Sequence, residues 1–155
     1  TIQLDMNMPE SFDLSCTNEK GVKERIVMLH AAIMGSIERF MSILIEHTAG
    51  NFSLWLSPVQ VAIIPVRDNH EEEARKLFDK FTESSIRVEI FESKESLGKR
   101  IHSAKDMKIP FVIVLGDKEV SSGNLTVENR DGTKTENIPV PEFIAKLKDI
   151  IDKKS

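Results

Sequence analysis

The chain has 155 residues, with 21 Lys and Arg against 25 Asp and Glu and a net charge of −4. That length holds one domain, or one domain and part of another. The acidic balance argues against nucleic-acid binding through overall charge, because phosphate affinity comes from lysine and arginine. Cys16 is the single cysteine, which excludes an internal disulfide and a cysteine-rich zinc site within the chain. No stretch is apolar and long enough to span a bilayer, and nothing resembles a signal peptide, so the composition points to a reducing, cytoplasmic setting without a membrane.

Taken in chain order, TIQLD (1–5) alternates apolar and polar and predicts a strand. CTNEKGVKE (16–24) reads as a polar turn, and RIVMLHAAI (25–33) as a buried strand. Gly35-Ser36 then opens a helix. In it Ile37, Phe40, Met41, Leu44 and Ile45 recur with helical period, Ser36 caps the start and Gly50 ends it. The helix start offers free N–H groups to anions. A strand delivering His30 into a helix delivering Ser36 and Arg39 thus makes a polar corner. By spacing alone, His30 reads as a hydrogen-bonded core histidine and Arg39 as a solvated arginine. His47 and His70 receive no role.

NFSLWLSP (51–58) reads as a linker, after which strands and helices alternate. Strands are predicted at 59–66, 86–91 and 110–116, and helices at 70–82 and 96–107. PFVIVLG (110–116) is almost wholly apolar, hence central and covered on both faces. NLTVEN and KTENIPV flank RDGT, a hairpin signal. A last helix starts at Pro141 and turns Phe143, Ile144, Leu147, Ile150 and Ile151 inward. This pattern predicts a small mixed-sheet α/β domain. Lys94, Lys99, Arg100, Lys105 and Lys108 stand against Glu95 and Asp106, which from charge alone is a solvated helix face.

TIQLD, LHAAIMGSIERF, ILIEHTAGNFSLWLSPVQVAIIPV, FVIVLGDKEVSSG and RDGTKTENIPVPEFI together closely resemble the C-terminal part of the threonyl-tRNA synthetase family of class II synthetases. GSIERF resembles the third class II signature motif, and the histidine before its arginine sharpens the match. The resemblance implies an α/β chain of two parts. Residues 1–56 would close an antiparallel class II catalytic domain, and residues 57–155 would form an anticodon-binding domain. It implies partners as well: threonine, ATP with Mg²⁺, tRNA(Thr), and a second subunit in a homodimer.

The resemblance also implies residue roles. His30 falls on one ligand of a zinc ion (Zn2+) that grips threonine, the other ligands lying upstream. Arg39 falls on the catalytic motif-3 arginine beside ATP. Gln3, Ser36 and Thr1 fall on positions near threonine or the adenylate. Glu119 matches a base-contacting glutamate, and Lys94, Lys99, Arg100 and Arg130 complete an expected anticodon face.

The chain departs from the family pattern in several places. Ala31 follows the histidine where arginine is usual. KESLG puts Lys94 where an asparagine reads a base, His102 replaces an arginine, and Glu128 replaces another, with Arg130 two residues on. Two other readings stand beside this one. A non-catalytic anticodon-type module would bind RNA or regulate without ligase activity, although the set Gln3, His30, Ser36 and Arg39 speaks against it. A flavodoxin-like nucleotide-binding domain is weakened by IIPVRDNH, which offers no glycine-rich phosphate cradle. On every reading this segment alone is expected to be catalytically inactive.

Overall fold

The computed structural model describes residues 1–154. The chain divides into two compact units, Thr1–His47 and Thr48–Ser155.

In the first unit, β1 (Ile2–Asp5) leads into a short helix α1 (Asn7–Ser11). Asp5 Oδ1 accepts the N–H groups of Asn7 and Met8 at 2.9 and 3.0 Å, satisfying donors that a helix start leaves open. The expected turn at 16–24 is a hairpin: β2 (Ser15–Thr17) pairs antiparallel with β3 (Lys23–Arg25). Asn18 shapes its bend by accepting from the N–H groups of Lys20 and Val22. Only Met28–Ala31 of the expected 25–33 strand forms β4, antiparallel to β1, and its Leu29 and His30 are exposed rather than buried. The helix α2 (Ile37–Thr48) follows with no buried residue. It stops where Ala49 and Gly50 take φ of 50° and 75°, a conformation glycine adopts without strain.

The second unit runs β5 (Val61–Pro65), α3 (Glu71–Glu83), β6 (Val88–Ile90), α4 (Leu97–Asp106), β7 (Phe111–Leu115), α5 (Asp117–Ser122), β8 (Asn124–Asn129), β9 (Lys134–Pro139) and α6 (Val140–Asp152). The sheet order is β6-β5-β7-β8-β9. β5, β6 and β7 are parallel, joined through helices, while β8 and β9 add the antiparallel hairpin. Alternate residues of β5 serve opposite faces, as strand geometry requires. Val61 and Ile63 pack with Leu77, Phe81, Phe143 and Leu147, whereas Ala62 and Ile64 pack with Ala104 and Ile109. Phe143 meets Phe81 and Phe111 edge-on, with ring centroids 6.0 and 5.5 Å apart.

Two differences from the sequence reading have clear causes. The segment 51–58 is docked rather than free. Leu54 enters the core, Gln60 Nε2 donates to the Leu54 carbonyl, and the Arg87 guanidinium donates to the carbonyls of Trp55 and Ser57. GDKEVSSG, for which the sequence reading gave no helix, holds the helix α5. Glu119 Oε2 accepts the Gly116 N–H at its start, and Gly123 ends it at φ 71°.

Candidate functional site

The β1–β4 register sets Gln3 opposite His30 and Asp5 opposite Met28, so Gln3, Asp5 and His30 share one face of this two-stranded sheet. Asp5 Oδ2 lies 3.1 Å from His30 Nε2. Because Oδ1 is fixed by the start of α1, the second oxygen is aimed at the imidazole. The Asp5 carboxyl sits below the ordinary aspartate range. The Met8 N–H lowers it most; burial raises it, and the Asn7 N–H and His30 lower it further. The His30 side chain remains 44% exposed.

Thr1 continues the pairing, its carbonyl accepting the Ala32 N–H at 2.9 Å. Ser36 Oγ accepts the Arg39 N–H at 3.3 Å, so Ser36 caps α2 as expected. Arg39 is exposed. Among the described residues no three His, Cys, Asp or Glu side chains converge as a metal site. Sequence reasoning passed over Asp5, yet its signal is visible: it stands two residues from Gln3, on the same strand face.

In the second unit the expected anticodon residues fare unequally. Lys94 is exposed and paired with Glu92 at 2.5 Å, and Lys99 pairs with Glu95 one helical turn away. Arg100 is not part of an exposed basic face. It is 4% exposed, and its guanidinium donates to the carbonyls of Pro65, Phe91, Glu95 and Val66. A planar fork of five donors suits that cage of acceptors, and only a buried position supplies one.

Arg130 lies just past the end of β8 and not on its face. It ties down the carbonyls of Lys108 and Phe52. Glu119 engages both oxygens locally, Oε2 with Gly116 and Oε1 with Thr126 Oγ1 at 2.7 Å. Burial raises the Glu119 carboxyl, but hydrogen bonds led by that from Thr126 bring it below the ordinary glutamate range. Glu128, at the position where the resemblance expects an arginine, is flanked by Lys105 at 2.5 Å and Lys134 at 3.4 Å. His102, exposed, pairs with Asp106 at 3.3 Å.

His70 was given no role, but it is 2% exposed with Nε2 2.9 Å from Asp117 Oδ1. Lys94, Lys99 and Glu119 all follow the carboxyl ends of parallel strands, where open α/β sheets bind ligands.

Comparison with known proteins bears on the family and the fold. The chain is 45% identical over 154 residues to the threonine–tRNA ligase of Sulfurihydrogenibium sp. (strain YO3AOP1), and equally so to that of Caldanaerobacter subterraneus subsp. tengcongensis. It is 41% identical over 155 residues to that of Streptomyces avermitilis. These matches cover 99% or 100% of the chain but only 24% of each relative, so it spans about a quarter of their length.

Among solved structures, the RNA binding domain of threonyl-tRNA synthetase from Cryptosporidium parvum Iowa II superposes with a TM-score of 0.82 at 26% identity. The match covers 96% of this chain and 38% of that one. The prolyl-tRNA synthetase of Cryptosporidium parvum shares the fold, with a TM-score of 0.67 at 18% identity over 99% of this chain and 33% of its own. The family model described as "Anticodon binding domain" matches residues 60–150. The sheet, the helices that cover it, the strand-end loop that carries Lys94 and the helix α5 that carries Glu119 therefore have a shared origin: the chain belongs to the anticodon-binding domain family.

Proposed function

We propose that the chain is the C-terminal part of a threonine–tRNA ligase, in which the second unit holds the anticodon loop of tRNA(Thr) and the first contributes to the site that activates threonine with ATP. The carrying observation is that 45% identity runs over 99% of the chain, far beyond the residues 60–150 of the family match. A module retaining only RNA binding would have no need to keep Gln3, His30, Ser36 and Arg39 together.

In this reading Arg39 meets the phosphates of ATP, a role suited to a permanently charged planar fork that also stacks on a purine. Gln3, Thr1 and Ser36 line the approach of threonine or its adenylate. His30 would be one protein ligand of a zinc ion, whose Lewis acidity grips the amino and hydroxyl groups of threonine. The donor set fits. Asp5 Oδ2 beside Nε2 favours the tautomer with its proton there, leaving Nδ1 as a neutral donor. In the second unit, Lys94 and Lys99 present cations beside the strand ends, and bases splayed from the loop would be read on their edges. Glu119 would accept from a base amine through lone pairs that its two local hydrogen bonds leave over. Homodimerisation and a cytoplasmic setting belong to the same proposal; among the described residues no helix is long and apolar enough to cross a membrane.

The test is a titration of the chain with two anticodon stem-loops, one carrying a threonine anticodon and one an unrelated anticodon. Preference for the first is expected. Between residues 58 and 155 there are 17 Lys and Arg against 18 Asp and Glu, so the affinity itself should be modest. Equal affinity for both would reduce the second unit to positioning tRNA without identifying it.

A further inference from the structure

We propose that the loop between β5 and α3, residues 66–70, is a third element of the anticodon interface, with Arg67 contacting the phosphate backbone of the bound loop. The inference rests on the anticodon-binding reading and goes beyond the residues assigned to it.

The sheet order is the first ground. β5 lies between β6 and β7, so the chain leaving Pro65 emerges between the loop that carries Lys94 and the turn that leads to Glu119. An RNA loop engaging both sides would pass over residues 66–70.

The second ground is how firmly this loop is tied to each neighbour. On one side, the Ser93 hydroxyl lies 2.5 Å from both the Asp68 and Glu71 carboxylates and donates its one proton between them, and the Ser93 N–H donates to Glu71 Oε1. On the same side Arg100 donates to the carbonyls of Pro65 and Val66 while holding those of Phe91 and Glu95. On the other side, the Val66 N–H donates to the Leu115 carbonyl at 2.8 Å, and buried His70 meets Asp117 at 2.9 Å. Three strand-end segments are thereby held as one preformed surface. A preformed surface avoids the ordering cost that weakens binding by mobile loops.

The third ground is the state of the cations. Lys94 is paired with Glu92, Lys99 with Glu95, and Arg100 is enclosed by carbonyls. Arg67 is exposed, and its guanidinium makes no ion pair or hydrogen bond among the described residues. The Asp117 carboxyl, the acidic group that feels its charge, is already engaged by His70. An uncommitted guanidinium on a rigid loop can fork onto a phosphate or stack on an unpaired base without first breaking a pair.

The experiment titrates the chain and its Arg67→Ala, Arg67→Lys and Arg75→Ala variants with the threonine-anticodon stem-loop at several salt concentrations. Arg75 lies on α3, is exposed, and controls for loss of one positive charge. Arg67→Ala should weaken binding roughly tenfold and flatten the log-affinity against log-salt line by about one unit or slightly less. Arg67→Lys should restore the slope, and Arg75→Ala should leave affinity within about twofold. Unchanged affinity and slope in Arg67→Ala, or an equal loss in Arg75→Ala, would overturn this proposal while leaving anticodon binding intact. Failure of the unsubstituted chain to bind the stem-loop would instead overturn the anticodon reading, and this inference with it.

Discussion

The two units treat their apolar residues in opposite ways. In the second, Val61, Ile63, Phe81, Phe143 and Leu147 are between 0 and 1% exposed, and the sheet is covered on both faces. In the first, Ile2, Leu29, Ile33 and Ile37 are 77, 65, 95 and 74% exposed, and α2 buries nothing. Both regions have amphipathic sequence, so pattern alone does not separate them. Regular pattern says that an element has a face to bury; only the neighbours decide whether it is buried. The second unit supplies its own neighbours, whereas the first presents apolar surface of the kind that marks an interaction site.

The sharpest way to break that contrast is a pair of truncations followed by urea unfolding. Phe143→Ala removes a ring packed edge-on against two others and should destabilise the second unit by about 3–5 kcal/mol. Ile37→Ala should change stability by less than about 0.5 kcal/mol, because the side chain has little burial to lose. Comparable losses would show that the first unit has a core of its own.

Arg100 comes next. Arg100→Met keeps the stem but leaves buried carbonyls of β5 and the following loops without donors. A loss of about 2–3 kcal/mol is expected, seen as a lower urea midpoint. Lysine should recover little, because its ammonium cannot reproduce the planar fork. A wild-type midpoint for the methionine variant would return Arg100 to the exposed face that its sequence suggested.

In the first unit the counterpart tests the proposed role of His30. If the proposed zinc role holds, then in the longer protein His30→Ala should abolish zinc retention, and Asp5→Asn should weaken it by about 10–100-fold in chelator competition. Asparagine still offers an oxygen to the Asn7 and Met8 N–H groups, so α1 should stay capped. Undiminished zinc in both variants would return His30 to a plain sheet histidine.

The smallest effect concerns Glu119. Its carboxyl binds a proton less readily folded than unfolded. Its contribution is therefore complete above the unfolded value, about pH 4.3, and is lost as pH falls through the lower folded value. Glu119→Gln should cost no more than about 1 kcal/mol at neutral pH and reduce the acid sensitivity of unfolding. An unaltered pH profile would show that the carboxyl does not stabilise α5.

Much of this was legible in the sequence. Period-2 and period-3.6 patterns located β5, β7, α3 and α6, and the RDGT turn located the β8–β9 hairpin, because those features are set by local chemistry. The α5 helix was missed because its six residues are too few to show a period, and its stability comes from a glutamate reaching back to Gly116. Arg100 was placed on a binding face because a sequence shows charge and not burial, and the carbonyls that exposed Arg130 holds were equally out of view. Their carbonyl partners lie up to 35 and 78 residues away. Asp5 was hidden for a related reason: its partner His30 is 25 residues on, and only the strand register brings the two together.

The docking of residues 51–58 has a spectroscopic consequence. Trp55 is the only tryptophan, and the chain contains no tyrosine. Its carbonyl is held by Arg87 and its neighbour Leu54 lies in the core of the second unit. Intrinsic fluorescence therefore reports the second unit alone, and the first is optically silent at tryptophan wavelengths. Circular dichroism at 222 nm, by contrast, registers α2 as well as α3, α4 and α6. A thermal scan followed by both signals would separate the two regions without cutting the chain, since the dichroism change that precedes the fluorescence change belongs to the first unit.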